Sequence, residues 1–457
     1  MPHPRSPLIL KSLFWSLFAL LLLIAPIPLY ANARRDNTSG ARDSLAAPRA
    51  EGGSAVDSCR EINASGFYQL VTNLQDSWSC IAIAANNVTL DCDHKSIAGK
   101  NFLGPGILIK RYGPPPGLRP ENIEIRNCKI FNHQYGILVE EGRNIRILNN
   151  DLSNNSDDTR GSYFGAWMGA MDGGGLRMDR TQDGLVQGNI SNRSSNGIDL
   201  RDSERIIVQN NETTMNSGFG ILLWNTSHSR VVGNTVNDNS RWCTITDGQW
   251  KNWVVQGCDT AAIMLQDGSS YNEIADNTLI GQNGDGIFIR AHGGMRCGDG
   301  NRIINNRIYG AIWNSIEVGF CNGVLVSGNH IERSKIGIWI SFMDNVQILN
   351  NTFVNVDTYG IALKDSPRAQ VRGNVFRDSP EGIYVFWDSS NAIMLRKPLA
   401  SYASHSSNIT GNSFHNMRTA GIHFKDSTRN FVRGNYFENV LTPYWLEGDT
   451  SQNLISP

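Results

Sequence analysis

The chain has 457 residues, 40% of them hydrophobic, which is enough to build a sizeable core. Its 41 Lys and Arg nearly balance 42 Asp and Glu, for a formal net charge of −1 at pH 7. That balance excludes a global field that would gather nucleic acid, so any electrostatic specificity has to be local.

Residues 1–33 read as a secretory signal. Arg5 and Lys11 give a basic start, Leu13 to Ala25 is an apolar run with one Ser, and Ala31-Asn32-Ala33 is a small-x-small cleavage site. The alternative is an uncleaved anchor, which Pro26, Pro28 and the short run disfavour. The expected destination is secreted or periplasmic, with no stable membrane insertion after cleavage. Residues 34–56 are polar and rich in Gly, Ser and Ala, the composition of a disordered leader. Residues 57–85, with Phe67-Tyr68-Gln69-Leu70-Val71 and Ile81-Ala82-Ile83, break the rhythm that follows. They are expected to cap the first open sheet edge.

From residue 86 to 457 a phrase Gly-Ile-x-Leu recurs. It reads Gly197-Ile198-Asp199-Leu200, Gly220-Ile221-Leu222-Leu223, Gly286-Ile287-Phe288-Ile289 and Gly337-Ile338-Trp339-Ile340. Gly360-Ile361-Ala362-Leu363 and Gly382-Ile383-Tyr384-Val385 follow, with looser copies at Gly106, Gly136, Gly175, Ala262, Ser315 and Gly421. Steps from 315 to 337, 360 and 382 are 22, 23 and 22 residues. A second phrase, Asn-x-apolar, keeps the same time at Asn211, Asn234, Asn277, Asn306, Asn329, Asn351, Asn374, Asn412 and Asn435. Short apolar runs at a period in the low twenties mean a solenoid. Alternation at period 2 makes each run a strand, with Ile338 and Ile340 on one face and Trp339 on the other. The expected fold class is all-β, a single-stranded parallel β-helix of about twelve coils. Ile and Leu columns would fill its interior, an Asn ladder would run through it, and Gly and Asn would take left-handed turn positions. Tyr444-Trp445-Leu446 would begin an incomplete last coil.

The eight Cys fit export. Cys59 and Cys80 bracket the cap, Cys92 and Cys128 lie in adjacent coils, Cys243 and Cys258 close an insertion, and Cys297 and Cys321 follow neighbouring strands. Four disulfides in that pairing are expected. No Cys-x-x-Cys or Cys/His grouping suggests zinc.

Three steps of the repeat are long, 39 residues from Gly136, 42 from Gly220 and 39 from Gly382. The extra residues are loops that should wall the outward face of the Gly-Ile-x-Leu strands. The first carries Trp167; the second carries Trp242, Trp250 and Trp253. On that face, Arg177, Asp179, Asp199, Arg201, Arg290, His292 and Glu317 are the candidate catalytic residues. Trp224, Gln266, Phe288, Trp339, Lys364, Tyr384 and Trp250 are candidate substrate contacts. The first four charges either form a salt-bridge ladder between coils or face a ligand. The aromatic row either stacks sugars or is covered by loops.

The repeats resemble the right-handed parallel β-helix of pectate-lyase-like, carbohydrate-binding and sugar-hydrolysing proteins. The resemblance spans roughly 86–446 and implies a right-handed coil. It also implies an anionic polysaccharide as partner, no nucleic acid, and activity as a lyase, hydrolase, epimerase or non-catalytic periplasmic protein. The Asp-Pro-His-Asp/Glu box of alginate C5-epimerases is absent. Of the polygalacturonase boxes only a faint echo stands at Asn196-Gly197-Ile198-Asp199. No Met/His cluster supports the copper chemistry of the similar nitrous-oxide-reductase maturation proteins.

A uronate lyase or C5-epimerase needs cations against the carboxylate and a base for the neighbouring proton. Arg177, Arg201 and Arg290 supply cations, His292 or an Arg the base, and Asp179, Asp199 or Glu317 could hold Ca²⁺. An inverting glycoside hydrolase would use Asp179 and Asp199, about 8 Å apart from one inter-strand step and one two-residue offset. The flanking arginines favour the charged form of both carboxylates, whereas a general acid must be protonated, so lyase or epimerase ranks first. The third class is a non-catalytic exported polysaccharide-binding or assembly protein. Arg201, outward-facing between the two loops, is expected to matter for activity and little for folding.

Overall fold

The structure, a computed structural model, describes residues 53–114, 117–156, 173–241, 260–291, 297–388 and 404–456. Gly53–Trp387 and Ala400–Pro457 form one compact unit. Its described strands are parallel and fall into sheets of 16, 15, 9 and 3 strands. Among the described residues there is no α-helix. One coil runs through three faces. Arg302–Ile304 joins the 16-stranded sheet, Arg307–Tyr309 the 9-stranded sheet and Asn314–Gly319 the 15-stranded sheet. Each strand therefore pairs with the equivalent strand one coil away, which is the architecture of a parallel β-helix.

The period-2 alternation sets the register. Ile263, Ile287, Ile316, Ile338, Ile361, Ile383 and Ile422 pair in succession and are all fully buried. Each such side chain contributes roughly 1.5–3 kcal/mol of apolar burial. A slip of one residue would turn the whole column outward. Phe353, Phe376, Phe414 and Phe437 stack in a second interior column, with centroids 4.8, 4.8 and 5.0 Å apart.

The Asn ladder runs from Asn150 through Asn189, Asn211, Asn234, Asn277, Asn306, Asn329, Asn351, Asn374 and Asn412 to Asn435. Each Nδ2 donates to the next Oδ1 at 2.9–3.0 Å. The same Oδ1 also accepts from the backbone N–H of the previous Asn, as Asn329 Oδ1 does from Asn306 at 2.9 Å. The left-handed turn falls one residue earlier than expected. Asn210, Asn305 and Asn350 have φ of 53°, 54° and 54°, and Gly233 and Gly328 stand at the same place in other coils. The first residue of an Asn-Asn or Gly-Asn pair turns the chain, and the second joins the ladder.

Residues 57–85, expected as a cap, continue the same sheets. Arg60–Ile62 and Ile81–Ile83 are the first two strands of the 15-stranded sheet, and Gly66–Leu70 belongs to the 16-stranded one. Ser54–Val56, from the stretch read as a leader, pairs with Tyr68–Leu70. These strands lack the Gly-Ile phrase but keep the alternation that buries Tyr68, Leu70, Ile81 and Ile83, and that alternation is what pairing requires. At the other end Thr442–Glu447 is the last strand of the 15-stranded sheet. Disulfides join Cys59–Cys80, Cys92–Cys128 and Cys297–Cys321. The expected signal segment, Cys243–Cys258, Trp167, Trp242, Trp250, Trp253 and His292 lie outside the described residues. No described helix is long and apolar enough to cross a membrane.

Candidate functional site

The outward positions of the 15-stranded sheet form two parallel columns. One runs Arg177, Asp199, Leu222, Met264, Phe288, Glu317, Trp339, Ala362, Tyr384, His423, Trp445. The other holds Asp179, Arg201, Trp224, Gln266 and Arg290, then Gly319, Ser341, Lys364, Phe386, Lys425 and Glu447. Neighbours within a column are one inter-strand spacing, roughly 4.8 Å, apart. All the described candidate residues from the sequence fall on these two columns.

The N-terminal stretch is a neutralised cluster. Register sets Arg177 beside Asp199 and Asp179 beside Arg201. The arginine–carboxylate hydrogen bonds resolved there run along each strand. Arg177 Nε donates to Asp179 Oδ1 at 2.8 Å. Arg201 donates to Asp199 through Nε, at 2.9 and 3.2 Å, and through Nη2 at 2.8 Å. Arg177 Nη1 also donates to the Tyr135 hydroxyl at 3.0 Å, and Asn196 Nδ2 to Asp199 Oδ2 at 3.3 Å. Burial opposes the charge of Arg177, but Asp179, Tyr135 and Asp199 around it hold its proton well above the ordinary guanidinium range. Arg201 follows the same balance, its gain coming from Asp199. Its guanidinium lies over the Trp224 ring, 5.0 Å from the centroid. Tyr135 and Asn196 were not among the sequence candidates.

The middle of the strip is not an open groove. Asp199, Gln266, Phe288 and Arg290 are 2, 0, 5 and 6% exposed. Outward-facing Leu222, Met264 and Phe288 join Phe219 and Ala261 in an apolar cluster separate from the interior core, with Trp224 packed against it. The expected exposed aromatic row therefore fails at Phe288, and the expected accessible cation fails at Arg290. Arg290 Nη2 donates to Gln266 Oε1 at 3.3 Å and the guanidinium stands over Phe288. The signal was in the sequence: two consecutive outward positions, Leu222 and Met264, are aliphatic.

Glu317 Oε2 accepts from Asn314 Nδ2 at 2.5 Å. Asp179, Asp199 and Glu317, read as Ca²⁺ ligands, do not converge: the first two carboxylates bond arginines, and three strands separate Asp199 from Glu317 in register. Among the described residues no group of three or more His, Cys, Asp or Glu could hold a metal ion.

The C-terminal stretch is where rings and charges meet with partial exposure. Tyr384 stacks on Tyr359, Phe386 and His423, with centroids 4.8, 4.3 and 4.5 Å apart. Trp339 meets Phe386 edge-on at 5.9 Å. His423 stacks on Trp445 at 4.1 Å. Its Nδ1 is 3.1 Å from Glu381 Oε2 and its Nε2 is 3.4 Å from Glu447 Oε2. Lys425 Nζ donates to Glu447 Oε1 at 2.6 Å. Burial, with nearby Tyr359 and carboxylates, pushes the Tyr384 hydroxyl far above its usual range, and burial raises Tyr359 as well. The sequence gave Tyr384, Trp339 and Lys364. It did not single out Tyr359, Glu381, His423, Lys425, Trp445 or Glu447, although alternation places His423 and Lys425 outward.

Residues 71–236 and 237–397, more than half the chain, match the family model described as a right handed beta helix region. No curated protein matches the sequence. Among solved structures, the mannuronan C-5 epimerase AlgE4 A-module of Azotobacter vinelandii is 13% identical. That alignment covers 86% of this chain and 91% of the other, with a TM-score of 0.49. A tailspike protein double mutant of E. coli bacteriophage HK620 is 9% identical over 82% of this chain and 72% of its own, with a TM-score of 0.49. A mutant of the periplasmic alginate epimerase AlgG is 12% identical over 85% and 76%, with a TM-score of 0.37. Identities this low leave the chemistry of the face to this chain's own residues.

Proposed function

The chain belongs to the right-handed β-helix family, and on that premise we propose that it is an exported protein that binds an anionic polysaccharide along the outward face of its 15-stranded sheet. One observation carries the reading. The C-terminal half of that face sets Trp339, Tyr384 and Trp445 in one register column, and Lys364 and Lys425 in the column beside it. Flat rings on every second strand of the column offer stacking surfaces for sugar rings, and the lysines offer compact cations for their carboxylates. The three disulfides support an oxidising compartment.

The enzymatic form of this reading is a uronate lyase or C5-epimerase. The cations favour it over an inverting hydrolase, because both Asp199 oxygens are hydrogen-bonded by Arg201 and Asp199 is buried. A hydrolase needs one of its two carboxylates free to protonate the leaving oxygen. Two observations favour binding without turnover. Arg177 is paired with Asp179 and Arg201 with Asp199, and the raised Tyr384 hydroxyl is a poor base near neutral pH.

The test is to incubate the purified mature protein with a panel of uronic-acid and neutral polymers. Retention on immobilised polymer reports binding, absorbance of unsaturated ends reports a lyase, solvent-deuterium uptake at C5 reports an epimerase, and new reducing ends without that absorbance report a hydrolase. Binding confined to acidic polymers is expected. Equal affinity for neutral polymers, or none for any, ends the reading.

A further inference from the structure

The last coils set Lys425 and Trp445 beside two residues that the polysaccharide reading does not use, His423 and Glu447. Glu447 ends the last strand of the 15-stranded sheet, with its side chain 42% exposed. It faces one hydrogen-bond donor of the preceding strand, Lys425 Nζ, and at longer range the edge of the His423 ring. Lys425 Nζ is 2.6 Å from Oε1, and His423 Nε2 is 3.4 Å from Oε2. Lys425 is itself 40% exposed, while His423 is 7% exposed and cannot turn away. Its ring is held between Tyr384 and Trp445, at 4.5 and 4.1 Å, and its Nδ1 is fixed by Glu381 at 3.1 Å. His423 is thus anchored from behind, whereas Lys425 and the carboxylate it holds are exposed to a similar degree.

Trp445, in the same strand as Glu447, is 39% exposed. One face of its indole is covered by His423 in a stack only 3° from parallel. Trp445 belongs to the terminal strand of its sheet, so no further strand of that sheet follows it among the described residues. A lysine, a fixed imidazole and an indole together match a carboxylate attached to a pyranose ring, whose C–H face can lie on the indole. Glu447 supplies only the carboxylate.

We propose that Lys425, His423 and Trp445 form a subsite for the carboxylate of an acidic sugar, and that Glu447 occupies its anion position in the free protein. A uronate would displace Glu447, accept from Lys425 Nζ with one carboxylate oxygen, set the other against the His423 ring edge, which donates when the imidazole is protonated, and lay its ring against Trp445. Exposed ion pairs of the Lys425–Glu447 kind hold weakly, so the ligand meets a soft competitor on a rigid frame. This deepens the anionic-polysaccharide reading and rests on it for the class of ligand.

The test is calorimetric titration of the full mature chain with sodium glucuronate, with glucose, and with sodium acetate as a carboxylate without a ring. Glu447→Gln should bind glucuronate at least threefold tighter than wild type, because the competitor loses its charge. Lys425→Met should lose glucuronate, and Lys425→Arg should keep it. Trp445→Ala should weaken glucuronate while leaving the weaker acetate affinity unchanged. Glucose should not bind. If Glu447→Gln unsettles the last coil, seen as a lowered thermal midpoint, the two Lys425 variants decide. Polymer binding by wild type with glucuronate affinity indifferent to Lys425 and Glu447 overturns the subsite and leaves the polysaccharide reading standing. Glucuronate binding that follows the variants, with no polymer retained, overturns the polymer reading and keeps the subsite. Equal enhancement of acetate and glucuronate in Glu447→Gln, with no effect of Trp445, overturns the acidic-sugar assignment.

Discussion

Arg201 donates to both carboxylate oxygens of Asp199 while its guanidinium covers the Trp224 indole, 5.0 Å from the ring centroid. Asp199 is 2% exposed. This changes what the arginine does. From the sequence it was an outward residue whose loss would spare the fold; in the structure it neutralises a buried charge. Arg201→Ala should therefore destabilise the protein by about 3 kcal/mol, because a buried carboxylate is left without its cation. Removing both partners, in Asp199→Ala/Arg201→Ala, should recover about 2 kcal/mol of the summed single losses. Denaturant unfolding of the four proteins measures this coupling. A zero coupling would mean that the pair is not a unit, and the arginine would return to consideration as a ligand contact.

The ladder amide of Asn329 has four partners. Its Nδ2 donates to Asn351 Oδ1 and to the carbonyls of Ile303 and Ser327, and its Oδ1 accepts from the Asn306 amide and backbone. Asn329→Ala would orphan the Asn306 backbone N–H and remove one hydrogen bond each from Asn306 Nδ2, Asn351 Oδ1 and the Ile303 and Ser327 carbonyls, at a cost of about 1–3 kcal/mol for a group left buried without a partner. Loss of roughly 3 kcal/mol or more in denaturant unfolding is expected. An unchanged midpoint would show that water enters the coil and replaces the amide.

Acid should loosen the molecule through its paired carboxylates. Burial raises Glu141, but hydrogen bonds from Arg111 and Arg119 outweigh it and hold the carboxyl below its usual value. Asp183 is lowered chiefly by its hydrogen bond from Arg205. In Asp91 the Asp93 backbone, Asn127 and Arg126 overcome burial in the same direction. A depressed folded value means the unfolded chain binds the proton first as pH falls. The contribution is complete above the unfolded values, about 3.9–4.3, and is lost as pH drops through the lower folded ones. Thermal midpoints should be flat near neutrality and fall below about pH 4. Glu141→Gln should be less stable at pH 7 and should shallow the acid slope. A variant with an unchanged slope would exclude Glu141 from the acid response.

Peptide mapping of the non-reduced mature protein should find Cys59–Cys80, Cys92–Cys128 and Cys297–Cys321. Cys243 and Cys258 lie outside the described residues and should form the fourth bridge. A free thiol at either position, or crossed pairs, would break the four-disulfide scheme.

The fold was legible because its cause is local and repeated. Gly337-Ile338-Trp339-Ile340 states in four residues which side chains go in and which go out, and the next coil states it again. Residues 57–85 join the sheets because Ile81-Ala82-Ile83 carries the same alternation without the Gly-Ile phrase, and pairing needs only the alternation. The site was legible only as a face. Alternation says that Asp199, Phe288 and His423 point outward, but not that all three are buried. Nor does it say that His423 meets Glu381, 42 positions earlier, across a step lengthened by an insertion. Which outward residues touch depends on coil lengths and packing between strands, and single strands do not carry that information.

The glycine of the repeated phrase has its own physical cause. Gly337 is not in a left-handed conformation; its lack of a side chain is a matter of space. A Cβ there would stand 2.3 Å from the Gly360 carbonyl oxygen and 2.6 Å from the ring of Phe353. Neither neighbour can yield, since one is backbone of the next coil and the other is locked in the interior stack with Phe376. Gly411 is the contrasting case. Its φ is +62°, and nothing lies within 4 Å of an added Cβ. Gly411→Ala meets only the left-handed backbone cost, roughly 1–2 kcal/mol. Gly337→Ala has to separate two coils or displace the Phe353 stack, so about 3 kcal/mol or more is expected, at the upper end of overpacking. Denaturant unfolding of both variants decides between them. If Gly337→Ala costs no more than Gly411→Ala, the coils give more easily than their close approach implies, and closeness does not explain the Gly of the repeat.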